Sequence, residues 1–140
     1  MWERRNISIK GILSGIGFDV VASVILTVIV AIAFTITSNI PIENQDEFQI
    51  AIDSSFNVRL AFLIGGLIIA FGMGFIAEWV APQPTLVNAA VCGVGLMIFH
   101  IVMVYINPEA APIWSQALII LGVAPLSILG GRLVVFLKNT

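Results

Sequence analysis

Asp19, Asn88, His100 and Arg132 are the residues of this 140-residue chain whose types could do chemistry, because each falls inside a long apolar run. A carboxylate in hydrocarbon costs about 2.5–3.5 kcal/mol on insertion scales, so it faces protein, finds a partner or marks an ion or proton path. Counting from Lys10 at about 1.5 Å per helical residue, Asp19 lies about 13 Å along the first run, near one border of the hydrocarbon. Arg132 falls about 9 Å before Lys138 on the same side, and Asn88 opens the third run at a similar level. The spacing makes an Asp19–Arg132 ion pair with Asn88 nearby geometrically reasonable; Arg132 reaching to the lipid headgroups is the other structural reading, and a proton or ion site is the sharper alternative.

His100 lies farther along the third run, on one helical face with Leu96, Cys92 and Asn88. Its expected depth is about a leaflet from Asp19, which speaks against an Asp19–His100 dyad. An interhelical hydrogen bond is the expected role for an intramembrane His, and its titration near neutral pH would also suit proton movement. Glu78, beside Trp79 at the end of the second run, is expected to be solvated.

No cofactor or metal is expected. Cys92 is the only cysteine, which excludes an intrachain disulfide and a paired-thiolate metal site. A lone His brings too few ligands for zinc or haem. Walker-type loops, dinucleotide glycine patterns, HExxH and the nucleophile elbow are missing from the sequence, and no basic patch suits nucleic acid. The reading is of a protein that is not an enzyme.

The elements that must carry these residues are membrane spans. The chain is 59% hydrophobic and 10% charged, with a mean hydropathy of +1.09. A spanning helix needs about 20 apolar residues, and the runs 11–36, 60–77, 86–106 and 113–137 approach or exceed that length. They are continuous, unlike the roughly ten-residue alternating segments of a spanning barrel. In lipid every backbone amide must be satisfied within its own segment, which requires helix. The fold class is therefore all-α: one transmembrane domain over 1–140, a four-helix bundle of two antiparallel hairpins with spans of about 11–38, 58–79, 85–106 and 113–137. The outer loop, 40–57, is too small for a domain; its alternating Phe48, Ile50, Ile52 and Phe56 suit a short strand or an interfacial helical turn.

The basic start and Ala31-Ile32-Ala33 have the look of a secretory signal, but the stretch is long and interrupted by glycines and Asp19. Pro41 is expected to stop the first span. Arg4, Arg5, Lys10, Arg132 and Lys138 put both termini in the cytoplasm by the positive-inside rule, with the acidic loop of Glu43, Asp46, Glu47 and Asp53 outside. Trp2, Trp79, Tyr105 and Trp114 fall near span ends, where amphipathic rings lie. Pro82-Gln83-Pro84 and Asn107-Pro108 with Pro112 make tight hairpins. Pro125 frees the carbonyl of Leu121 and favours a kink.

Gly11, Gly15, Asp19, Ser23, Thr27, Ala31 and Thr35 recur every four residues and so share a helical ridge of small or polar side chains. Gly66, Ala70 and Gly74 do the same in the second span. The two faces are expected to meet, as small residues let helix backbones approach; a polar stripe lining a water-filled path is the sharper alternative. The expected partners are the lipid bilayer, a second copy of the chain or another membrane protein, with no nucleic acid.

The segments "IKGILSGIGFDVVASVIL", "FLIGGLIIAFGMGFIAEWVAPQPTLVNAAVCGVGL" and "LGVAPLSILGGRL" together resemble a class of small uncharacterised bacterial inner-membrane proteins with four spans. In that class a Gly-Gly pair opens the second span, and a Pro followed by Gly-Gly closes the fourth. The resemblance covers most of the chain and implies bacterial origin and the inner membrane, with no activity. Small multidrug transporters also have four spans and a first-span acid, but here the acid is Asp rather than Glu, the outer loop is longer and their aromatic pattern is missing. The expected function is a structural, accessory or oligomeric membrane subunit; the alternative is a small oligomeric transporter or channel using Asp19 with or without His100.

Overall fold

The computed structural model describes residues 7–38, 45–83, 85–109 and 111–140. They form five helices and, among the described residues, no strand: α1 Ile9–Ser38, α2 Gln45–Ser54, α3 Phe56–Val80, α4 Val87–Ile106 and α5 Ile113–Lys138. All but α2 are long and apolar enough to cross a membrane. The chain is a multi-pass helical membrane protein. Trp2, Arg4, Arg5, the expected helix stop at 39–41, Glu43 and Pro84 lie outside the described residues.

The helices differ in length for reasons visible in the chain. α4 has 20 residues, about 30 Å, which just matches a hydrocarbon core. α1 has 30, about 45 Å, so it tilts or projects beyond the core. α3 begins at Ser55, whose Oγ accepts the Val58 N–H at 3.4 Å, and ends at extended Ala81, just before Pro82. The 48–56 alternation that left a strand open resolves into the short helix α2. Asp46 and Glu47 sit in its first turn, where they favour the helix dipole, and a lone strand would find no ladder partner. α5 runs as one helix through Pro125.

α3 is the centre of the bundle. It packs most extensively on α5 and then on α1, while α4 lies against α5 and α1 barely touches α4. The α3–α5 seam is close because glycines face backbone. A Cβ at Gly74 would meet the Ser127 carbonyl, and one at Gly130 would meet the Phe71 carbonyl. The expected facing of the α1 ridge and Gly66–Ala70–Gly74 is corrected. Gly74 meets α5, a Cβ on Gly66 would meet nothing within 4 Å, and Gly11 and Gly15 sit instead over the carbonyls of Ala77 and Met73. The α3 glycines that receive α1 are Gly65, under Leu26, and Gly72, under Phe18. A ridge with four-residue spacing drifts about 40° per step on a 3.6-residue helix, so Ser23 and Thr27 turn out of the bundle and are exposed. Only Gly11, Gly15 and Val30 of α1 are buried.

Candidate functional site

Two polar arrangements lie at different levels of the bundle. The first closes the α3–α4 hairpin. Leu86, the N-cap of α4, has φ 67° and offers no side-chain cap, so the first amides of α4 need an acceptor from elsewhere. Glu78 of α3 supplies it. Its Oε1 accepts the Ala89 N–H at 3.0 Å and its Oε2 accepts the Thr85 N–H at 3.1 Å. Asn88 Nδ2 also donates to Oε2, at 3.4 Å. Asn88 Oδ1 in turn accepts the Ser8 N–H at 2.7 Å, which ties the start of α1 to the start of α4.

Glu78 and Asn88 are both fully buried. The expected solvated Glu78 is therefore corrected: the rotation of α3 that turns Trp79 outward, 51% exposed, turns its neighbour to the helix N-terminus, where a carboxylate is electrostatically favoured. Lys138 does the converse for α3. Its Nζ donates to the Trp79 carbonyl at 2.8 Å and to those of Glu78 and Ala81 at 3.4 Å, with the Trp79 ring centroid 5.6 Å away. Ser127 Oγ completes the end of the bundle by donating to the Ala89 carbonyl at 2.7 Å. Thr85 Oγ1 is buried without a hydrogen-bond partner among the described residues.

The second arrangement is centred on Asp19. Ser8 bonds Asn88, and Cys92 Sγ donates to the Ile12 carbonyl at 3.7 Å, both with a separation of 80 residues. That common register puts Asp19 level with Phe99, the thirteenth of the 20 residues of α4, past the middle of a helix that just spans the bilayer. Counted along α4, the shorter span, this level is about 18 Å from the helix start, deeper than the count from Lys10 gives. Arg132 stays at the hairpin end, since its neighbour Gly131 abuts Ala89 and Glu78. Ala89 to Phe99 is about 15 Å along the axis. The expected Asp19–Arg132 pair is therefore absent, with Arg132 exposed beside Phe136 and Asn139.

Asp19 is half-buried and has no hydrogen bond or ion pair among the described residues. It opens into a groove of about 420 Å³ between α1 and α4, floored by Met73 and walled by Ile16, Cys92, Leu96 and Phe99. The groove exists because α1 leans on α3 through Gly11 and Gly15 and meets α4 chiefly near its start, where Ile12 and Gly15 reach Cys92.

His100 is one residue from the level of Asp19, which corrects the expected difference in depth. It faces the other way, into a crevice of about 180 Å³ with Gln116 and Ile120 of α5, and lies 6.0 Å from the Phe99 ring. Asp19 and His100 thus share a depth and not a site. Among the described residues no group of three or more His, Cys, Asp or Glu could hold a metal. The groove can bind through charge and apolar contact.

Fold and groove together define a four-span helical membrane protein with an intramembrane carboxylate that has no ion pair among the described residues. Comparison with known proteins finds no matching family model, no matching curated protein and no matching solved structure.

Proposed function

We propose that the chain is a small transporter or channel-type subunit of the bacterial inner membrane, working through Asp19 without catalysing a reaction. One observation carries this reading: the Asp19 carboxylate, inside a membrane-spanning helix, opens into a groove between α1 and α4, with no neutralising cation beside it among the described residues. A charge kept there at an insertion cost of a few kcal/mol is a functional site by default. Both termini lie in the cytoplasm on the Lys/Arg distribution, which puts the Glu78 hairpin on that side. Four helices make a small bundle, so a homo-oligomer or a membrane-protein partner completes the working unit. His100 contributes from the adjoining crevice rather than from the groove.

The test is movement of a cation or proton by the purified protein in sealed proteoliposomes. Asp19→Asn should abolish that movement while the thermal unfolding midpoint in detergent stays level or rises. A structural or accessory subunit is the second reading, favoured by the buried Glu78–Asn88–Ser8 network that ties three helices at one end. It predicts no movement with either protein and a midpoint lowered by Asn88→Ala rather than by Asp19→Asn.

A further inference from the structure

The chemistry of the groove wall narrows what Asp19 can bind. We propose that the α1–α4 groove takes a lipophilic organic monocation, an ammonium or phosphonium with its own apolar body, reaching Asp19 laterally from the bilayer. This rests on the transport reading above and names the ligand class of that same site.

The wall supplies one charge and little else that is polar. Asp19 is its only carboxylate, and the Cys92 thiol is engaged with the Ile12 carbonyl. Hard inorganic cations such as calcium and magnesium require six or more oxygen ligands or retained water. Here the side chains offer two oxygens, both on Asp19, and the helical carbonyls are committed to their own ladders. A hydrated metal ion would have to carry most of its water shell into a space lined by Ile16, Met73, Leu96 and Phe99.

An organic cation avoids that cost. Its charge neutralises Asp19, while its substituents replace lipid against the aliphatic wall. Phe99, level with Asp19 on the facing helix, adds an aromatic ring, the second group that attracts a cation in an apolar site. The volume of about 420 Å³ lies in the range of small-molecule sites, about 300–1,000 Å³. Access follows from exposure: Ile16, Val20 and Phe99 on the two rims are about half exposed on the lipid-facing surface, so the groove opens sideways.

The experiment is equilibrium binding of tetraphenylphosphonium to the full chain in lipid nanodiscs, with empty nanodiscs as reference. Wild type should bind saturably, with no competition from sodium and full competition from tetrapropylammonium. Asp19→Asn should weaken binding at least tenfold, Asp19→Glu should restore most of it, and Phe99→Leu should weaken it severalfold. Helical content and elution volume, unchanged in each variant, keep loss of binding separate from loss of fold. Equal binding by wild type and Asp19→Asn would overturn the proposal. Asp19-dependent proton movement in proteoliposomes without phosphonium binding would also overturn it, while leaving the transport reading standing.

Discussion

Glu78 on α3 accepts the backbone N–H of Ala89 on α4 at 3.0 Å, so the acid that ends one membrane helix caps the next. Lys138 returns the favour from α5 by capping the carbonyls that end α3. Charges of opposite sign thus meet the helix ends whose partial charges they complement. Glu78→Ala leaves the Ala89 and Thr85 amides and the Asn88 side chain without their acceptor, and should cost about 3 kcal/mol. Glu78→Gln, which keeps one acceptor oxygen but turns an NH2 donor toward the N–H that the other oxygen served, should cost about 2 kcal/mol. Reversible denaturation in mixed micelles, followed by helical content, measures both. An unchanged midpoint for Glu78→Ala would contradict the cap.

The α3–α5 seam predicts a contrast between glycines that look alike in sequence. Gly74→Ala and Gly130→Ala force a methyl onto the backbone carbonyls of Ser127 and Phe71, and each should destabilise by about 1–3 kcal/mol. Gly66→Ala and Gly17→Ala add a methyl with no neighbour within 4 Å and should be neutral or stabilising by up to about 1 kcal/mol, since Ala is the better helix former. Unfolding midpoints of the four variants decide this. Equal losses at Gly66 and Gly74 would mean that the helices meet along a different face.

The separation of Asp19 from Arg132 is testable by a double-mutant cycle. Groups about 15 Å apart along the bundle with no shared partner should show a coupling below about 0.5 kcal/mol. Asp19→Asn combined with Arg132→Gln should therefore change stability by the sum of the single effects. A coupling of 1 kcal/mol or more would restore the ion pair that sequence spacing alone suggests.

The number, length and helical nature of the spans were legible in the sequence, because hydrocarbon thickness and backbone satisfaction leave few choices. Rotation and level were not. Helices that are apolar all round carry no stripe to say which face is inward, so nothing marked Glu78 as the buried neighbour of exposed Trp79. The one available signal was an acid placed ten residues before Asn88, at the far side of a proline hairpin, where a helix N-terminus needs acceptors. The depth of Asp19 depends on the helix along which it is counted. Along the short α4, with its 80-residue offset from α1, it is greater than the count from Lys10 on the longest helix gives. Asn88 was singled out correctly as a polar residue, yet its partners are Glu78 and Ser8 rather than Asp19 and Arg132.

The most direct test of the account is the depth of Asp19 itself, measured with spin labels placed singly at 19, 99 and 132 in the bilayer-reconstituted protein. Relative accessibility to oxygen and to a water-soluble nickel chelate reports depth. The account predicts that the labels at 19 and 99 lie within one helical turn of each other in the hydrocarbon, both reached by oxygen, and that the label at 132 is the shallower by about 15 Å. A label at 19 that matches the depth of 132, or that neither reagent reaches, would contradict a mid-bilayer carboxylate in a groove open to lipid.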